Sequence, residues 1–300
     1  VSSDAADDAG GVVSGYGGGL GGGVDEMLDA TGSVRSAWTD LATQLDWSGP
    51  AGLLARRADT RRLLADDGVS HRPPGEAAEQ PWRLDPLPVL LNTARWAELA
   101  AGLAQRAELL DRLLVDLYGP RRVLRSGLLP PELILGHAGY LRGWARTEGT
   151  PGRRELFLAG ADLARTEQGW QLISDRVQAP SGAGYAMANR RVVARVLPAV
   201  HRRAGIQRLR PFFDAVRAGL QALAPDRPAI DRTDGPRVVL LTPGPHSETA
   251  FEQALLSSLL GYPLVRGSEL TVRDGRVWQR ALGRLEPVDV ILRRVDAAWC

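Results

Sequence analysis

Val238-Val-Leu-Leu-Thr-Pro-Gly-Pro-His-Ser-Glu-Thr-Ala-Phe-Glu-Gln-Ala-Leu-Leu-Ser-Ser-Leu-Leu-Gly-Tyr-Pro-Leu-Val265 changes its apolar period twice. A short apolar run at Val238–Leu241 reads as a buried strand, the loop Thr-Pro-Gly-Pro-His-Ser interrupts it, residues 248–260 carry helical spacing, and Leu264-Val265 starts a second strand. Strand, helix and strand in this order are a βαβ signature, which places the chain in the α/β class. Downstream, Asp274-Gly275 sits between two alternating runs and predicts a hairpin, and Val288–Arg293 predicts a final strand.

Upstream the pattern is more helical, giving the N-terminal part an α+β character. Val34, Trp38, Leu41 and Leu45 recur at helical spacing, and Leu53, Leu54, Leu63 and Leu64 mark a second helix that ends near Gly68. The Pro-rich stretch 70–88 reads as irregular. Asn92 is placed to cap a long helix whose stripe runs from Trp96 to Leu117 and which Gly119-Pro120 closes. Residues 155–163 and 170–177 read as strands joined by a turn at Glu167-Gln168-Gly169, so a hairpin over 155–177 is expected. Helices follow at about 185–197 and 211–224, then a Pro/Asp-rich linker at 225–236. The first segment, 1–23, ends in Gly-Gly-Gly-Leu-Gly-Gly-Gly and reads as a flexible tail.

Composition narrows the chemistry. At 300 residues and 44% hydrophobic the chain can bury a core without staples, and no apolar run approaches the roughly 18 residues of a spanning helix, so no membrane span is expected. Its one cysteine, Cys300, permits neither a disulfide framework nor a Cys-based zinc site. The start Val1-Ser-Ser-Asp lacks the basic and apolar regions of a signal peptide, and a cytoplasmic location is expected. Every one of the 37 basic residues is Arg, which removes a Walker A lysine and any Schiff-base lysine. Residues 1–100 hold 8 Arg against 15 acids and residues 101–300 hold 29 against 20, so the later part is the anion binder.

Two features depart from plain scaffold. Asp162 and Asp175 fall on the paired strands, where carboxylates can hold a hard cation such as Mg²⁺ or stand as two exposed strand acids. From Arg176 to Arg210 there are eight Arg and no acid, a field suited to phosphate or, less well without interleaved aromatics, to nucleic acid. Pro243-Gly244-Pro245 lacks the Gly-x-Gly-x-x-Gly of a dinucleotide site, Ser247 reads as a helix cap, and no Gly-x-Ser-x-Gly elbow supports a hydrolase triad.

Several segments, in order, resemble the circularly permuted ATP-grasp proteins, relatives of the glutathionylspermidine synthetase ligase domain. They are Val24-Asp-Glu-Met-Leu-Asp-Ala-Thr-Gly-Ser-Val-Arg, Asp85-Pro-Leu-Pro, Asp116-Leu-Tyr-Gly-Pro, Ala159-Gly-Ala-Asp-Leu, Ala179-Pro-Ser-Gly-Ala-Gly-Tyr, Asn189-Arg, Leu241-Thr-Pro-Gly-Pro, Val272-Arg-Asp-Gly-Arg-Val and Val288-Asp-Val-Ile-Leu-Arg-Arg-Val-Asp. The resemblance covers about 24–296 and implies three regions: the tail 1–23, a helical scaffold with a permuted ATP-grasp portion over 24–224, and a Rossmann-like pre-ATP-grasp region over 237–300. Members are longer, so it also implies an N-terminal fragment truncated at Cys300, with Val1 a literally translated GTG start and the fragment alone inactive.

Function follows from the same resemblance. It implies a carboxylate–amine ligase that uses ATP and Mg²⁺ and passes through an acyl phosphate, acting on small-molecule or peptide carboxylate and amine substrates. It places Arg176, Ser181, Gly182, Asn189, Arg190, Arg293 and Arg294 near the nucleotide and Asp162 at the metal, with Asp175 as a substitute metal ligand if its strand is bulged or, alternatively, Arg176 replacing the metal's charge against a phosphate. The ligase pattern has an Asp, a Glu twelve residues on and an Asn two further; here these are Asp162, Ser174 and Arg176. That departure implies an alternative, a degenerate non-catalytic scaffold that binds a protein partner.

Overall fold

The structure is a computed structural model and describes residues 12–13, 15–16, 24–145, 154–225 and 235–296. Along the chain run α1 (Thr39–Asp66), β1 (Ser70–His71), β2 (Gln80–Pro81), α2 (Thr93–Tyr118), α3 (Arg122–Arg125), α4 (Pro131–Leu135), β3 (Gly160–Thr166), β4 (Gly169–Arg176), α5 (Ala183–Val196), α6 (Pro198–Arg203), α7 (Arg210–Ala222), β5 (Val238–Thr242), α8 (Ala250–Leu260), β6 (Leu264–Arg266), β7 (Leu270–Arg273), β8 (Arg276–Ala281), β9 (Arg284–Val288) and β10 (Val290–Arg293). The mixed α/β class expected from sequence is present. Most of the Gly-rich tail and of the linker 225–236 lies outside the described residues, as does Cys300. Within the tail, Val12 and Val13 pack on the helical core and the Val13 N–H donates to Asp46 at 2.7 Å, because an apolar pair there meets an apolar surface.

The chain divides into two units. The first takes residues up to Asn92, Arg165–Gly169 and Ser181–Leu292. Its helix α1 is kinked at Gly49 (φ 61°, ψ −175°), followed by Pro50, so the two helices read from sequence are the two arms of one bent element. One arm buries Leu41 and Leu45, together with Trp38 just before it, against Leu197 and Val200; the other places Leu64 with Val69, Tyr185, Ala188 and Val192. The βαβ reading holds. β5 pairs parallel with β6 in the register Leu240↔Leu264 and Thr242↔Arg266, α8 makes the crossover, and β10 lies on the other side of β5. Val238, Val239, Leu240 and Val265 are buried, which is why this strand reads as a continuous apolar run.

Two sequence expectations need correction in this unit. The stretch 70–88 is not wholly irregular: Ser70 and His71 pair antiparallel with Pro81 and Gln80, using backbone groups that no proline removes. The single strand expected at Val288–Arg293 is two strands in different sheets. β9 pairs with β8, β10 joins β5, and Asp289 marks the switch: its carboxylate accepts the Arg237 N–H at 2.8 Å and its own N–H donates to the Arg237 carbonyl at 2.9 Å. The Asp274-Gly275 turn is as read, with both residues at positive φ (51° and 69°) between β7 and β8.

The second unit takes Thr93–Ala164, Trp170–Pro180 and residues from Arg293 on. α2 starts directly after Asn92 and stops directly before Gly119, as the sequence predicts. The hairpin is present but begins later than read. Glu155 and Leu156 do not enter a ladder because their N–H groups donate to the carboxylate of Asp111 on α2, at 2.7 and 2.8 Å. Asp111 is buried, and a carboxylate that takes two amides there is a structural tie. Replacing Asp111 by Ala should cost about 1–3 kcal/mol for each amide left without an acceptor, and Asp111→Asn less, since it keeps an acceptor. Denaturant unfolding of the two variants checks this: equal loss in both would show that the amides do not depend on this oxygen.

Candidate functional site

Strand alternation places residues 174 and 176 on one face of β4 and residue 175 on the other. The structure brings Asp162, Ser174 and Arg176 together on the first face. The Ser174 hydroxyl donates to Asp162 Oδ2 at 2.6 Å, and Arg176 Nε donates to the same oxygen at 2.8 Å. The three positions singled out by the ligase pattern are therefore one cluster in space. Asp175 is not part of it. Its carboxylate is gripped by Arg106 of α2 through two bonds, Nε to Oδ1 at 2.8 Å and Nη2 to Oδ2 at 2.6 Å, a two-pronged fit of guanidinium to carboxylate. The bulge that would carry Asp175 into the cluster is not the arrangement seen.

Each carboxylate is held below the usual carboxylate range. For Asp162 the Ser174 hydroxyl is the larger cause and the Arg176 guanidinium the next; for Asp175 it is Arg106. Mg²⁺ asks for carboxylate oxygens that are free to ligate, and an arginine cannot ligate at all. Oδ2 of Asp162 already accepts two donors, one of them a cation, so a single oxygen, Oδ1, is left beside that positive charge. The residues present at this position do not fit Mg²⁺, and among the described residues no group of three or more His, Cys, Asp or Glu side chains gathers to hold a metal ion.

The segment Ala179-Pro-Ser-Gly-Ala-Gly-Tyr leads into α5 in the first unit from Ser181 onward. Its glycines have separate reasons. Gly182 precedes the helix at φ 124°, a conformation that side chains rarely adopt. A Cβ on Gly184 would come within 2.7 Å of Glu252 Cγ. Glu252 of α8 is fully buried, and one of its oxygens accepts the N–H groups of Gly182 at 2.5 Å and Gly184 at 3.0 Å. The first turn of α5 thus already has an anion, and these amides do not fit a phosphate while Glu252 is in place. Tyr185 donates to the Ser70 carbonyl at 2.8 Å and stacks on Trp82 with centroids 4.2 Å apart; burial, then Glu252 and Glu79, push its hydroxyl up to about 12.

The remaining residues implied by the resemblance are placed as follows. Ser181 is exposed. Asn189 accepts the Trp82 indole N–H at 2.8 Å, and Arg190 donates to the Gln207 carbonyl. Arg293 ends β10, and Arg294 is buried. Ser181, Gly182, Asn189 and Arg190 belong to the first unit; Asp162, Arg176, Arg293 and Arg294 belong to the second. Sequence reasoning missed Glu252, Arg106 and Asp111. Glu252 and Asp111 carried a readable signal: each is an acid at a position that helical spacing assigns to the packed side.

Residues 88–300 match the family model described as circularly permuted ATP-grasp type 2. The chain belongs to this family. It is 46% identical over 292 residues to an uncharacterized protein of Mycobacterium tuberculosis (strain ATCC 25618 / H37Rv), covering 94% of this chain and 32% of the relative. It is 35% identical over 277 residues to a putative glutamate–cysteine ligase of Frankia alni, covering 91% and 31%. A glutathione synthetase-like effector from Globodera pallida matches with a TM-score of 0.46 at 12% identity, covering 83% of this chain and 59% of that one. The chain spans about a third of the length of these two curated relatives.

Two outcomes follow. Asp162 should titrate below 3.8 in carboxyl-resolved NMR, and Ser174→Ala should move it upward by removing the larger cause. Because the folded value is depressed, the stability this group contributes is complete above the ordinary carboxylate value and is lost as pH falls through the lower folded value. Gly184→Ala should destabilise by about 1–3 kcal/mol in denaturant unfolding, because α5 must move off α8 to admit the methyl.

Proposed function

We propose that the protein carrying this chain is an ATP-dependent carboxylate–amine ligase with ATP and Mg²⁺ as cofactors and small-molecule or peptide substrates. Membership of the circularly permuted ATP-grasp family carries the reading, and the name of the Frankia alni relative, a putative ligase of glutamate and cysteine, supports it. In such a reaction a carboxylate oxygen attacks the γ-phosphorus of ATP, releasing ADP and leaving an acyl phosphate. The amine nitrogen then attacks the acyl carbon, inorganic phosphate departs, and the nitrogen loses a proton. The protein's part is to position the reactants and to neutralise phosphate charge. Within this reading residues 237–296 are the pre-ATP-grasp region, supported by the parallel β5–α8–β6 unit. Arg176, Ser181, Asn189, Arg190, Arg293 and Arg294 remain the proposed nucleotide-side residues, and the metal is held by groups other than the Asp162 cluster.

One observation favours a second reading. Asp162 Oδ2 is occupied by Ser174 and Arg176, an arrangement suited to a degenerate scaffold that binds a partner and turns over no ATP. Mg²⁺-dependent ADP release, assayed on the protein at its natural length across acid and amine pairs, separates the two. For a ligase, release should require both substrates, and Asp162→Ala should lower it roughly tenfold to a hundredfold, the scale of a mispositioned group. Turnover insensitive to Asp162→Ala would remove this cluster from the site, and no turnover with any pair would favour the scaffold.

A further inference from the structure

The Asp162 cluster contains a cation of its own. Arg176 uses only Nε toward Asp162, and no other partner of its guanidinium occurs among the described residues. Its side chain is 58% exposed and that of Asp162 41%, so the pair is open to solvent. Exposed ion pairs add little stability, and packing does not account for this one. What the geometry achieves is orientation. Asp162, itself fixed by the short bond from Ser174, holds one edge of a planar fork and leaves the two terminal nitrogens for another group. A guanidinium with two parallel N–H groups matches the paired oxygens of a phosphate or carboxylate.

The charges on both faces of β4 agree with an anion as ligand. Asp175, the neighbouring acid, is engaged on both oxygens by Arg106, and Asp162 is paired through Oδ2 with Arg176, so each carboxylate has its own arginine. Each of these two negative charges is balanced by an arginine, which weakens the pull on a divalent cation, while the terminal nitrogens of Arg176 keep their donor capacity.

We propose that Asp162, Ser174 and Arg176 form a metal-independent oxyanion site, in which Arg176 binds a phosphate-type group through its terminal nitrogens and Asp162 and Ser174 act as positioning residues. The choice of phosphate over other oxyanions rests on the ligase reading; the clamp does not. In this chain an arginine supplies the positive charge where the family's pattern uses a metal.

The test is a titration of the chain with inorganic pyrophosphate in the presence of EDTA, followed by calorimetry and by the Arg176 Nε–H resonance. Saturable binding that shifts this resonance is expected without any metal. Arg176→Gln should abolish it. Arg176→Lys, which keeps charge and loses the fork, should weaken it about tenfold, and Asp162→Asn and Ser174→Ala should each weaken it severalfold with unchanged circular dichroism. A parallel measurement uses Mn²⁺ and water-proton relaxation: no Mn²⁺ dependent on Asp162 should bind to the natural chain, and Ser174→Glu with Arg176→Asn should create such a site. Pyrophosphate binding that requires Mg²⁺, or that persists in Arg176→Gln, overturns the proposal, as does Mn²⁺ binding to the natural chain that Asp162→Asn removes. Failure of ADP release in the ligase assay leaves these binding outcomes untouched, so the two readings fail separately.

Discussion

The carboxylate of Glu252 on the amides of Gly182 and Gly184 is the contact on which the first unit is arranged. A fully buried carboxylate is tolerated only where donors meet it, and the exposed N–H groups at the start of a helix are such donors. Meeting them requires α8 to approach the first turn of α5 closely enough that a side chain at position 184 has no room. Once α5 is seated this way, Tyr185 reaches the Ser70 carbonyl and Trp82, Asn189 reaches the Trp82 indole, and Val192 closes over the outer arm of α1. Because α8 is also the crossover between β5 and β6, the same carboxylate ties the helical layer to the parallel sheet.

That tie has a chemical consequence. A helix start preceded by a Gly-rich loop is the usual place to look for a bound phosphate. Here the position is filled from inside the protein, so the motif Pro180-Ser-Gly-Ala-Gly-Tyr185 serves first as a packing device. On the proposed ligase reading, phosphate recognition falls to arginine side chains, since the chain has no lysine. Arg176 is exposed and uses only Nε toward Asp162, and Arg190 likewise uses one terminal nitrogen, toward the Gln207 carbonyl.

Much of this was legible where a backbone constraint has a residue signature. Asn92 and Gly119 delimit α2, Asp274-Gly275 turns a hairpin, and the apolar run at 238–241 announces a buried parallel strand. What escaped were contacts between positions distant in sequence. That Asp289 would divide one alternating run between two sheets depends on Arg237, 52 residues earlier. That residues 155 and 156 would leave the ladder depends on Asp111, 44 and 45 residues earlier. For the candidate site, the pattern Asp162, Ser174, Arg176 named three residues that meet in space; the partners of Asp175 and of Gly182 needed the fold to reveal Arg106 and Glu252.

The cluster also shows why changing two residue types together alters the chemistry more than either change alone. With Asn at 176, Asp162 and Ser174 would leave a carboxylate oxygen for a cation. With Glu at 174 and Arg at 176, two acids would compete for one guanidinium and the surplus charge would still favour a metal. Ser174 with Arg176 removes one acid and adds one cation, so the local charge of the three positions goes from two negative to zero in one paired step. Ser174 does more than remove charge: its hydroxyl takes the remaining lone-pair direction of Oδ2 and so fixes the carboxylate against which the arginine is aligned. The two bonds therefore act together: one oxygen of Asp162 joins the hydroxyl of Ser174 to the guanidinium of Arg176.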